Sequence, residues 1–84
     1  MWKIGEKYFI RTVTMYHIGE LVDINDKELI LKNASWVADT GRFHNALKTG
    51  VLEEVEPFVN NVLVNRTAII DATRWDHDLP RDVK

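Results

Sequence analysis

The chain reads as a mainly β domain, a small five-stranded barrel with one short inserted helix near residues 40–48. Three observations predict this. Two apolar-rich runs between Met15 and Val37 meet at the polar turn Asn25-Asp26-Lys27, the pattern of a hairpin. Runs rich in aromatic and β-branched residues recur before and after it, as strands do. The apolar period switches to a helical one over a single stretch, between Asp39 and Gly50.

Taken in order, Lys7 to Thr14 reads KYFIRTVT and forms a first strand, with Phe9, Arg11 and Val13 on one face and Tyr8, Ile10 and Thr12 on the other. The second strand, His17 to Ile24, sets Ile18, Val22 and Ile24 in phase, with Gly19 and Leu21 opposed. Gly19 lacks the side chain that resists strong bending, so this strand is expected to curl across both layers of the barrel. Lys27 to Val37 supplies the third strand, in which Leu29, Leu31 and Asn33 alternate against Ile30, Lys32 and Ala34.

Beyond Ala38, Asp39 or Thr40 is placed to cap a helix carrying Phe43, Ala46 and Leu47 at helical spacing, and Gly50 to stop it. Two and a half turns are too short to stand alone, so the helix is expected to lean on the barrel. Val51 to Glu56 alternates as a strand until Pro57, which lacks a ladder donor and marks an edge, a bulge or the start of a hairpin loop running to Asn60-Asn61. Val62–Val64 and Ala68–Ala72 are the last strand runs, with Asn65-Arg66-Thr67 as the turn between them. The domain is thus expected over residues 1–75. The polar tail, 76–84, is expected to fray except where Trp75 and Leu79 pin its start.

A chain of 84 residues buries one small core. With no cysteine for a disulfide or a zinc site, oligomerisation is the expected source of further burial, and three Trp, three Phe and two Tyr supply apolar area for it. A net charge of −2 disfavours a surface dominated by contacts to nucleic-acid phosphates. The opening Met-Trp-Lys-Ile-Gly-Glu has neither the apolar run nor the cleavage site of a secretory signal, and no apolar stretch is long enough to span a membrane. The expected location is cytoplasmic.

Strand, bent strand, strand, a long β pair and a last short strand is the order of an SH3-like barrel. Within it, Ile18-Gly19-Glu20-Leu21 followed by Leu29-Ile30-Leu31-Lys32-Asn33-Ala34 resembles the first motif of Sm-like proteins, including bacterial Hfq. Val62-Leu63-Val64-Asn65-Arg66-Thr67-Ala68-Ile69-Ile70 is similar to the second, two apolar strands around a tight turn. Together the two segments cover about a third of the chain. Asp23, Asn25 and Asp26 depart from the family's spacing of its acidic residue and asparagine, and Arg66 stands where the family has glycine.

An open barrel leaves backbone groups unpaired on its last strands, and joining the edge of one copy to the next satisfies them in a head-to-tail contact that closes into a ring or grows into a regular tube. Val62, Val64, Ile69 and Ile70 are the expected seam, or alternatively core residues of the monomer. The function expected is therefore a non-enzymatic, homo-oligomeric scaffold or binding module, with no cofactor. Its alternative is an RNA-binding ring. Recognition of single-stranded RNA needs a stacking platform, a polar edge reader and cations, which Tyr16, His17, Asn25, Lys27 and Arg66 could supply from in or near turns.

A remote alternative is a retropepsin-like aspartic protease. Asp39-Thr40-Gly41 after Trp36-Val37-Ala38 carries its short signature, but no glycine follows Gly50 to build that family's second segment. No catalytic residue is therefore assigned. His17, His44 and His77 are scattered, and only Asp76-His77-Asp78 puts one beside carboxylates, so no metal site is expected.

Overall fold

The computed structural model describes residues Met1–Lys84. Six strands form one antiparallel sheet: β1 (Lys7–Thr12), β2 (Tyr16–Ile24), β3 (Glu28–Asp39), β4 (Glu54–Pro57), β5 (Val62–Asn65) and β6 (Ile69–Arg74). One helix, α1 (Phe43–Thr49), and a 3-10 turn at Arg66–Ala68 complete the chain. No helix is long and apolar enough to cross a membrane. The mainly β class with a short insert is as the alternation predicts.

The 12-residue β3 organises the sheet. One of its edges pairs with β2, while the other takes β5 along Glu28–Leu31 and β4 along Ser35–Asp39. Of the three roles expected of Pro57, the structure shows an edge position at an irregularity and not a hairpin. Between Pro57↔Ser35 and Val62↔Leu31, four residues of one side face three of β3, so β4 and β5 are one interrupted strand on one partner. The strands are six, one more than the five of the expected barrel, and they fall on the six runs that the alternation marks. The sheet order is β4/β5, β3, β2, β1, β6, with the last strand returning beside the first.

Two apolar cores sit on the two faces. Tyr8, Ile10, Leu21, Leu29, Leu31, Ala34 and Val64 form one, against which Trp2, Ile24, Val62 and Ile69 pack. Phe9, Ile18, Val37, Val55 and Trp75 form the other with Ala46 and Leu52. The alternation expected in β1 holds. It breaks in β2 and β3, where Ile24 and Ala34 lie with Leu21 and Leu31. Val22 is an extra residue in β2, and Asn33 and Ala34 together oppose Gly19. Each bulge reverses the faces of the residues beyond it. Asn33 accommodates its bulge at φ 49°, in the left-handed region that asparagine tolerates.

Helix α1 covers the second core through Ala46 and Leu47. Gly50 ends it in the left-handed conformation, at φ 78°, with its N–H donating to Ala46 O at 2.8 Å. The expected cap is corrected. Arg42 is the N-cap, with no side-chain bond, because Asp39 Oδ1 accepts the Gly41 N–H at 2.8 Å in the turn leaving β3.

The tail lies against the body well past Trp75. Trp75 Nε1 donates to Asp78 O, His77 Nε2 contacts Leu47 O, and Lys7 Nζ donates to His77 O. Lys84 exchanges two backbone bonds with Val55. Polarity alone predicts fraying, but these anchors are mostly backbone groups, which composition does not display.

Candidate functional site

Backbone accounting locates the unsatisfied edges. Strand β5 pairs only with β3, and β6 only with β1. Arg66 N–H donates to Lys27 O at 2.8 Å. Following the alternation back through the register, Val64 and Val62 bond to β3, and Leu63 turns its N–H and C=O away from the sheet. On β6, Trp75 N–H donates to Lys7 O at 2.9 Å, so Thr73 and Asp71 face β1 while Ala72 and Arg74 turn outward.

The β4 edge is closed by its own chain. Val55 N–H and C=O each bond to Lys84 at 2.9 Å, and Pro57, the next outward-facing residue, has no N–H.

The residues expected at the seam separate in consequence. Val64 is a core residue at 4% exposure, and Val62 and Ile69 lean on the same core. Ile70 faces solvent as the extra residue of a bulge opposite Arg11 and Thr12. The outward residue of β5 is Leu63, at 60% exposure. The period of two in Val62-Leu63-Val64 carried that signal, once the inward pair was known.

Neither edge is guarded by free charge. β5 contains no ionisable residue. On β6, Asp71 is held by Arg11 through two bonds, of 2.6 and 3.2 Å, and Arg74 sits 3.6 Å from Asp76. The hydrogen bond to Arg11 holds the Asp71 carboxyl below its ordinary value, and the same bond raises the guanidinium.

The five residues considered for RNA divide into two places. Asn25, Lys27 and Arg66 meet at one end, where Arg66 Nη1 donates to Asn25 O at 2.7 Å. Asn25 Oδ1 already accepts the N–H groups of Lys27 and Glu28, at 2.8 and 2.9 Å. Lys27 forms no ion pair.

Tyr16 and His17 lie at the opposite end of the nine-residue β2, about 25 Å away at strand rise. Tyr16 packs on Phe9 and Phe43 beneath α1. His17 faces the other way and stacks on Phe58, with ring centroids 5.9 Å apart and an interplanar angle of 12°. Its Nδ1 is buried without a partner, and burial pulls its pKa below the ordinary value. No stacking platform stands beside the turn cluster.

A cleft of about 540 Å³ runs between Met1–Lys3 and Asp71–Arg74. No three His, Cys, Asp or Glu side chains converge as a metal would require. Comparison with protein-family models, curated proteins and solved structures finds no match to this chain.

Proposed function

We propose that the protein is a non-enzymatic assembly module: an SH3-like barrel of the Sm-like kind whose copies join edge to edge, β5 of one beside β6 of the next, in a closed ring. The observation that carries this reading is the pair of open, unguarded edges at the two ends of one sheet. Natural edges are usually blunted by charge, proline or a covering segment. Here β4 has proline and a covering segment, whereas β5 has neither and β6 has its charges paired within the subunit.

Curling of the sheet supports the barrel. Laid flat, four strand spacings of about 4.8 Å would separate β5 from β6 by roughly 19 Å. The three-residue 3-10 turn that joins them spans about 6 Å, and Val64 and Ile69 meet at one core. A head-to-tail contact between such edges either closes or grows. A cytoplasmic setting suits a chain without cysteine.

Light scattering over a concentration series tests the assembly. The expected mass is a multiple of 9.8 kDa, falling to the single subunit in Leu63→Lys with its β spectrum retained. A wild-type chain that stays at 9.8 kDa up to millimolar concentration removes the reading.

A second reading, RNA contact, is supported by the meeting of Asn25, Lys27 and Arg66 at one end of the barrel. Salt-sensitive binding of single-stranded RNA, weakened by Arg66→Ala, is its expected signature. Absence of binding at low salt removes it.

A further inference from the structure

The cleft along β6 is lined by four consecutive strand residues, Asp71 to Arg74. Successive side chains of a strand point to opposite faces, so a cleft touching all four lies along the strand's edge and not over one face. Its inner wall carries the outward backbone groups of Ala72 and Arg74. Its outer wall is Met1–Lys3.

That outer wall is anchored. Lys3 N–H donates to Tyr8 Oη at 2.8 Å, Tyr8 Oη donates to Met1 O at 3.2 Å, and the Trp2 ring meets Tyr8 edge-on at 4.8 Å.

We propose that this cleft receives β5 of a second copy, with Trp2 as the wall against which the incoming Leu63 packs. The inference rests on the edge-to-edge reading above and names the residues that would make the contact. A slot beside unpaired strand groups fits an extended backbone, because only main chain supplies donors and acceptors at the two-residue spacing of Ala72 and Arg74. Lengths match: the regular edge of β6 between the Ile70 bulge and Trp75 is Asp71–Arg74, and β5 is the four residues Val62–Asn65. Charge matches too. The acid and the arginine of the cleft have partners of their own, and Lys3 on the outer wall is exposed and can keep its ammonium in water, so an incoming segment with no ionisable side chain adds no charge to be buried. Leu63, exposed in the single subunit, would exchange water for the indole of Trp2.

The absence of cysteine allows a direct test. Trp2→Cys protein is mixed with Leu63→Cys protein under mild oxidation, and Val59→Cys, at a more exposed position, replaces the first partner as a stringent control. The expected result is a covalent heterodimer forming at least about tenfold faster than with the control, as raised effective concentration requires. Lys3→Cys, on the same wall but exposed, repeats the test should loss of the indole disturb the fold. Cross-linking no faster than the control overturns the proposal. If Leu63→Lys still dissociates the wild-type assembly, the edge pairing survives and only the Trp2 wall falls; a monomeric wild type removes both.

Discussion

Val55 and Lys84 exchange both of their backbone hydrogen bonds, N–H to O in each direction at 2.9 Å. Val55 lies on the outer edge of β4, so if the tail leaves, both bonds are exchanged for water. Deleting residues 82–84 is expected to cost about 1–3 kcal/mol, the net range for two intramolecular hydrogen bonds. Urea titration measures the loss, and hydrogen exchange should show the Val55 amide losing protection while amides of β1 keep theirs. Unchanged protection at Val55 would mean that the pair does not persist in solution.

His77 and Gly50 are matched by shape. A Cβ on Gly50 would stand 2.6 Å from His77 Cγ, and the residue already holds φ 78°, which a side chain resists. Gly50→Ala is expected to destabilise by about 2–3 kcal/mol from strain and overlap together. Adding His77→Gly, which removes both the Cγ and the Cβ that stands 2.7 Å away, should return the overlap portion, leaving the backbone cost. Additive single and double variants in a chemical-denaturation cycle would show that the two do not share that space.

Gly19 opposes the β3 bulge, and a Cβ there would lie 2.9 Å from Ala34 Cβ and 3.1 Å from Leu31 Cβ. Gly19→Ala should therefore cost about 1–3 kcal/mol by overpacking a closed core. Ala34→Gly in the same chain is expected to recover part of it. A neutral Gly19→Ala would mean that the two strands separate there without penalty.

Legibility followed how local each feature was. The faces of β1 could be read from alternation because no bulge interrupts Tyr8 to Arg11. Ile24 and Ala34 could not, since the bulges at Val22 and Asn33 are settled by the partner strand and not by either sequence alone. Gly50 declared the helix end through its own conformational freedom, while Asp39 was drawn from capping by the nearer Gly41 N–H. The open edges could be read from strand order. Its residues were not, because a pattern such as Val62-Leu63-Val64 states that two neighbours point one way without saying which way is inward. Trp2 carried no motif at all, and its place on the cleft depends on Tyr8, Lys3 and β6 meeting in three dimensions.

His17 offers a pH-dependent check on the joint between β4 and β5. Its ring is sandwiched on Phe58, in the interruption between those strands, and the buried Nδ1 has no acceptor to welcome a proton. Burial therefore lowers its pKa from the ordinary 6.5. The sign follows from linkage. Above pH 6.5 the ring is neutral in both states and carries no penalty; as pH falls below 6.5 the unfolded chain takes up the proton first, so stability declines until the folded ring is also charged. Asp71 acts in a separate, more acidic window, because its carboxyl, held below 3.8, loses the Arg11 pair only there. Melting temperature followed from pH 8 to pH 5 should thus drop on the acid side of 6.5 in the wild type. The slope should flatten in His17→Phe, which keeps the stack and removes the titrating group. An equal acid-side slope in both proteins would show that His17 is not the group responsible.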